Sequence, residues 1–297
     1  MGVFRRFGFL AGAAAAAAGY RRFAHPPIRR HPRLRVAPLL VGHRGAAGLA
    51  PENTIEGCRE AVERWGAEVV EVDVHATADG ACVLLHDPTV DRTTDGSGAI
   101  GELPLARVRE LDAGFNFSGP DDGFPFRGKG VRVPTFGELL AALPATVVLV
   151  DVKTAAAAAP LADAVRAADA SDRVIVAGES ASDRATLHDY PGPTGITRED
   201  TVRFFAAHHF GVRRFWRPTA DVACLPERHR GLRVLTPGVI GGLHERGLAV
   251  YVWTVNDAAD MRRLLDWGAD GIITDRPDVL YGVLADVVGR PPPPGAR

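Results

Sequence analysis

The 297-residue chain is 46% hydrophobic and 24% charged, with a formal net charge of −1. That composition supports one large domain or two small ones with a sizeable core; it excludes a stapled mini-protein and global disorder. The near-zero charge excludes a general electrostatic grip on nucleic acid. Cys58, Cys82 and Cys224 are far apart, with no CxxC spacing. They form neither a disulfide framework nor a zinc site and read as small buried hydrophobes.

Charge is unevenly placed. Nine of the 35 basic residues precede Glu52, the first acidic residue, so the body is about ten charges negative and the N-terminal arm strongly positive. Within that arm, Arg5-Arg6 precede an apolar run from Phe7 to Tyr20, and Arg21-Arg22 follow it. The run is too short to cross ~30 Å of hydrocarbon comfortably as a helix. It has the length of an export-signal core behind an arginine pair. An interfacial helix drawn to anionic lipid by its arginines is a second reading, and an extension without function a third. Residues 1–37 are set apart as a targeting or membrane-associating segment, with export or membrane association expected over a cytoplasmic location. The proline-rich tail, residues 290–297, is set apart as a disordered end.

From residue 38 to 289 short apolar runs alternate with helical patterns. The predicted strands are Leu39–His43, Glu68–His75, Val147–Asp151, Arg173–Ala177, Thr194–Thr197, Asp221–Leu225, Ala249–Thr254 and Gly271–Thr274. The intervening helices begin near Thr54, Thr135, Ala155, Ser182, Glu199, Pro237 and Ala258, and a last one follows Pro277. Eight such units predict an α/β fold, a closed (β/α)8 TIM barrel. One segment, about 76–134, breaks the alternation. Ala78-Asp79-Gly80 between two apolar alternating runs predicts a β-hairpin that brings His86 roughly opposite Asp73. The long Gly-, Asp- and Pro-rich stretch after it carries a short helix near Leu105 to Leu111. Loops of that length in compact domains are usually functional.

Polar chemistry gathers at the predicted strand ends, where barrels of this kind place their functional groups. Residues i and i+2 of a strand share a face, so Glu71 faces with Asp73, and Asp151 with Lys153. Inward carboxylates repel unless protonated, salt-bridged or bound to a cation. A hard divalent ion, Mg²⁺ or Ca²⁺, satisfies them; neutralisation by Arg44 and Lys153 in a buried ion network is the alternative. His43 and His86 flank this cup and suit general acid–base work. Arg44 and Lys153 suit an anionic group, above all phosphate. The remaining histidines, His75 included, read as structural. Together these groups point to phosphoester chemistry.

His43-Arg44-Gly45, Pro51-Glu52-Asn53-Thr54, Glu71-Val72-Asp73-Val74, Thr77 with Asp79-Gly80, His86-Asp87 and Asp91-Arg92-Thr93-Thr94 occur in that order. With Trp253-Thr254-Val255-Asn256 and Asp270 to Pro277, they resemble the glycerophosphodiester phosphodiesterase family over roughly residues 39–287. The resemblance implies a (β/α)8 barrel with an insertion after strand two. It implies cleavage of small-molecule glycerophosphodiesters to glycerol 3-phosphate and an alcohol, with a divalent cation. It makes His43 and His86 the catalytic pair, Glu71 and Asp73 metal ligands, and Arg44 and Lys153 phosphate contacts. Trp253 falls where the family has an aromatic wall for substrate, and Glu52 beside the site. Asp151 stands where the family usually has Glu; one methylene shorter, it puts metal preference in doubt. Glu179 stands near a position where a Ser-Phe pair is common, and either contacts a cationic head group or is exposed. Asn53 is expected to cap the first helix. Three other readings remain: a lysophospholipase D working at a membrane, a non-catalytic phospholipid- or phosphate-binding barrel, and a non-hydrolytic sugar-phosphate barrel enzyme.

Overall fold

A computed structural model describes residues 38–119, 123–178, 180–187, 189–293 and 295. The targeting segment 1–37 and Glu179 lie outside the described residues. The strands are β1 (Leu39–Gly42), β2 (Val69–Ala76), β3 (Cys82–Leu84), β4 (Val147–Val152), β5 (Val174–Gly178), β6 (Val222–Pro226), β7 (Arg228–His229), β8 (Leu232–Arg233), β9 (Ala249–Trp253) and β10 (Gly271–Thr274). Seven run parallel in the order β5-β4-β2-β1-β10-β9-β6. The open edges are joined by the predicted fifth strand, which makes only single parallel bridges, Val176 to Thr194 and Gly195 to Val222. Gly195 N donates to Val176 O at 3.0 Å and Ile196 N to Val222 O at 2.8 Å. The barrel thus closes, with its fifth stave too short to form a regular strand; the prolines at 191 and 193 beside it lack the amide a longer ladder needs.

The helices follow their strands: α1 (Ile55–Arg59), α2 (Leu105–Val108), α3 (Phe136–Ala142), α4 (Ala155–Ala167), α5 (Arg198–His209), α6 (Pro237–His244), α7 (Ala258–Asp266) and α8 (Pro277–Val288). The predicted helix near Ser182 is a 3-10 turn, Ser182–Leu187. Local chemistry sets the starts. Thr135 and Thr197 form reciprocal capping boxes with Glu138 and Asp200, and Thr236 caps a helix with Pro237 in its first turn.

Strand alternation sorts the core into two layers. Outward residues such as Leu40, Val70, Val72, Val148, Val150 and Ile272 join the large cluster packed against the helices. Inward residues Leu39, Val41, Val69, Leu149, Tyr251 and Ile273 fill the barrel. The valine-rich β2 and β4 are buried on both faces, as parallel strands covered by helices require.

The insertion is anchored by β3 antiparallel to β2, with Val74 opposite Leu84 and Ala76 opposite Cys82. That register places Leu85, not His86, across from Asp73, and Leu85 N donates to Asp73 O at 3.1 Å. The sequence expectation was one residue off because the loop is wider than a two-residue turn: Thr77 N donates to Ala81 O. Val83, Leu85, Val90, Ile100 and Val108 give the insertion a small core of its own. Cys58 and Cys82 are buried and Cys224 is partly buried; all three are free thiols.

Candidate active site

The inward-facing series of each strand changes from apolar to polar as it climbs. On β1 it runs Leu39, Val41, His43; on β2, Val69, Glu71, Asp73, His75; on β4, Val147, Leu149, Asp151, Lys153; on β10, Gly271, Ile273, Asp275. Asp73 and Asp151 are register partners on neighbouring strands. The polar ring therefore lies at the C-terminal mouth, above an apolar plug.

The turn after β1 aims His43 and Arg44. Arg44 adopts φ 48° and Gly45 φ 88°, consecutive left-handed residues that only glycine tolerates without strain. A Cβ on Gly45 would lie 2.6 Å from Cys58 N, so the second position admits no side chain. This bend lets Arg44 N donate to Glu71 Oε2 at 2.9 Å, while Arg44 Nη1 reaches Glu52 Oε1 at 2.8 Å and Nε lies 3.3 Å from Asp73 Oδ2.

Asp73, only 2% exposed, is the hub. Asn53 Nδ2 donates to its Oδ2 at 2.9 Å, and Asn53 Oδ1 accepts from its backbone N at 3.0 Å. Asn53 is therefore not the helix cap that the sequence suggested. Thr54 caps the helix by accepting from Gly57 N at 3.0 Å, and Asn53, at φ 55°, turns inward as a two-point clamp. On the other side Lys153 Nζ lies 2.8 Å from Asp73 Oδ1 and 2.7 Å from Asp151 Oδ2.

The charges respond unequally. Burial and the neighbouring Asp73 charge push the Glu71 carboxyl up to about 7. Burial would raise Asp73 too, but Lys153 and Arg44 outweigh it and hold that carboxyl below its ordinary range. Glu71, buried beside the Asp73 charge, therefore holds its proton more tightly than Asp73 does. The closed ion network weighed from the sequence is the arrangement seen. Among the described residues no group of three or more His, Cys, Asp or Glu side chains is gathered to hold an ion as it stands; Lys153 occupies oxygens of Asp73 and Asp151.

Both histidines rest on carboxylates. His43 Nδ1 lies 2.6 Å from Asp275 Oδ1, and Asn256 Nδ2 donates to the other Asp275 oxygen at 2.7 Å. Burial lowers the His43 pKa, but Asp275 and Glu71 outweigh it and leave it raised. His86 Nδ1 lies 2.6 Å from Asp87 Oδ1. Each Nδ1 therefore carries the proton, leaving Nε2 as the working atom. His75 is buried, with Nε2 3.1 Å from His86 O, a structural role. Trp253 ends β9, 43% exposed, in an open cleft of about 430 Å³ that it shares with Pro226, Glu227, Asn256 and Asp257.

The structure thus brings His43, Arg44, Glu52, Glu71, Asp73, Asp151 and Lys153 into one connected cluster, joined to His86 through Arg92 and Asp87. Trp253 adjoins it through Asn256. The roles of Asn53, Asp87, Arg92, Asn256 and Asp275 were not read from the sequence. Asp275 had a signal, since it continues the inward alternation of β10; the others lie on loops, where alternation says nothing.

Residues 43–279 match the model of the glycerophosphoryl diester phosphodiesterase family. The chain is 30% identical over 253 residues to the glycerophosphodiester phosphodiesterase of Caldanaerobacter subterraneus subsp. tengcongensis, covering 83% of this chain and 97% of that protein. Its fold is similar to that of a solved glycerophosphoryl diester phosphodiesterase domain from Mycobacterium tuberculosis, with a TM-score of 0.74 at 21% identity over 84% of this chain and 100% of the other. An Oleispira antarctica phosphodiesterase, solved in complex with the product sn-glycerol-3-phosphate, aligns with a TM-score of 0.67 at 21% identity over 84% of this chain and 97% of that one. With the barrel, its insertion and the polar mouth in place, these matches establish that the chain is an enzyme of the glycerophosphoryl diester phosphodiesterase family.

Proposed function

We propose that the protein hydrolyses glycerophosphodiesters to glycerol 3-phosphate and an alcohol, with His43 and His86 as its acid–base pair. The observation that supports this reading is a pair of imidazoles, each with Nδ1 2.6 Å from a carboxylate, in the same polar network as Arg44 and Lys153. Arg44 and Lys153 bind the diester phosphate and absorb charge as the transition state forms. One histidine Nε2 takes a proton from the nucleophile and the other protonates the leaving alkoxide; water as nucleophile gives glycerol 3-phosphate directly, whereas the glycerol 2-hydroxyl gives a cyclic phosphate that a water then opens to the same product. Trp253 forms a wall for the substrate. Glu52 has both carboxylate oxygens engaged by arginines, so its part is to hold Arg44 rather than to meet substrate.

The donor set fits a divalent cation. Glu71, Asp73 and Asp151 offer carboxylate oxygens on adjoining strands, and the burial and neighbouring Asp73 charge that raise Glu71 are what a hard cation would offset. Those three residues would hold Mg²⁺ or Ca²⁺, whose contribution is to polarise the phosphate. Lys153, which lies 2.8 Å from Asp73 Oδ1 and 2.7 Å from Asp151 Oδ2, would share those carboxylates with the ion and offer its ammonium to the phosphate. Asp151, one methylene shorter than Glu, sets a weaker third ligand.

The test is a product assay. Glycerophosphocholine should yield glycerol 3-phosphate and choline, and chelator should stop the reaction. Turnover of lysophosphatidylcholine in preference to it would transfer the assignment to a lysophospholipase D, and tight binding without turnover to a binding barrel. The Arg-rich segment 1–37 supports export or attachment to anionic membrane; mass measurement of the mature N-terminus tests it. No described helix is long and apolar enough to cross a membrane.

A further inference from the structure

Arg92 lies in the insertion, away from the carboxylate cup, yet its guanidinium joins the two halves of the site. Nη1 donates to Glu52 Oε2 at 2.7 Å and Nη2 to Glu52 Oε1 at 2.8 Å. Nε donates to Asp87 Oδ2 at 2.6 Å, and Nη2 also reaches Asp87 Oδ1 at 3.2 Å. Glu52 Oε1 also accepts from Arg44, and Asp87 Oδ1 from His86 Nδ1. The result is an unbroken chain, Arg44–Glu52–Arg92–Asp87–His86, from the phosphate-binding cation to one of the imidazoles.

The contacts separate Arg92 from an ordinary surface ion pair, which is worth ~0–1 kcal/mol. Although the side chain is 47% exposed, it engages two carboxylates through both oxygens of each, a geometry that the planar guanidinium supports and an ammonium cannot. Its backbone is also held. Asn116 Nδ2 donates to the carbonyls of Asp91, Arg92 and Thr94 at 3.3, 3.1 and 3.0 Å, and neighbouring Val90 is fully buried in the core of the insertion.

We propose that Arg92 is a positioning residue for the reaction proposed above. By gripping both oxygens of Asp87 it fixes the plane of that carboxylate, and so the tautomer and direction of His86. By sharing Glu52 it keeps that carboxylate from claiming Arg44 alone. Remove Arg92, and Asp87 is free to rotate while Glu52 turns wholly toward Arg44. This inference rests on the acid–base reading of His86 but can fail separately from it.

The experiment combines a double-mutant cycle with ring ¹⁵N NMR on the full-length protein. Arg92→Gln should lower kcat for glycerophosphocholine about 10–100-fold, the range for losing hydrogen bonds to a charged group, with a smaller change in KM. Arg92→Lys should fall between, since it keeps the charge and loses the fork. In an Asp87→Asn background the same Arg92→Gln change should cost less than about threefold, because the two residues act as one unit. The His86 ring should show a single Nδ1–H tautomer in the wild type and a mixture in Arg92→Gln. Additive losses in the cycle, or an unchanged tautomer, would overturn the proposal. A wild type that does not cleave the diester would defeat the activity reading, and the ring spectrum would still decide the role of Arg92.

Discussion

His43 and His86 each have Nδ1 2.6 Å from a carboxylate, but the two supports differ in kind. Asp275 belongs to the barrel: it follows β10 and is fastened by Asn256. The His43 side chain is 18% exposed and that of His86 35%. Asp87 belongs to the insertion, and its fastening is Arg92, a charged group half in solvent. One imidazole is thus held by the framework that makes the fold, the other by a segment with its own small core. Framework contacts cannot shift without disturbing the barrel; those of the insertion can vary independently. The His43 side should tolerate change poorly, and the His86 side should be where related sequences tune the reaction.

Removing either imidazole tests whether the two sides are equal in chemistry. His43→Ala and His86→Ala should each lose ~10²–10⁴-fold in rate, measured on glycerophosphocholine with Mg²⁺ or Ca²⁺; near-normal turnover in both would sink the assignment. Changing only the supports sharpens the contrast. Asp275→Asn should cost kcat near the upper end of a range of about 10–100-fold, and Asp87→Asn near its lower end, because an amide oxygen at position 87 still accepts from Arg92. Equal losses would mean that the insertion is as rigid as the barrel.

The third test concerns the cup between them. Asn53→Ala leaves buried Asp73 without its two-point partner and should reduce stability by ~1–3 kcal/mol, read by urea unfolding in chelator. Glu71 gives a pH signature. Its folded pKa, about 7, lies above the ordinary value of 4.5, so its stabilising contribution is complete below about 4.5 and lost as pH rises through about 7. The raised His43 acts in the same direction. Cation-free protein should therefore lose Tm as pH rises from about 4.5 through about 7, and Glu71→Gln should flatten that slope; an unchanged slope would show that Glu71 ionises normally. The smallest expected effect is Asp151→Glu, a gain of about tenfold in divalent-cation affinity by calorimetry, since the longer side chain reaches further as an oxygen ligand.

Much of this is legible in the sequence. Seven of the eight predicted staves are regular strands, because strands buried on both faces must be apolar runs and the helices between them carry threonine, aspartate or proline at their starts. The pairs Glu71 with Asp73 and Asp151 with Lys153 followed from alternation alone. The fifth stave was overestimated, because an apolar run does not reveal that its neighbours lack the amides to extend a ladder. Asn53 stands where sequence alone implies a cap, just before a helix, and only its left-handed backbone turns its side chain elsewhere. The hairpin register missed by one because sequence does not give the width of a loop.

The order of residues by itself determined the barrel, the carboxylate pairs and the family, since each depends on periodicity or on short motifs in fixed sequence. Only the folded chain decided which charges meet. Asp275 is 232 positions from His43, and Arg92 is 40 from Glu52; closure of the sheet and seating of the insertion bring them together. The physical reason is range: strand and helix patterns are set by neighbours a few residues away, whereas the partners of a buried charge are whichever groups the packing delivers to it.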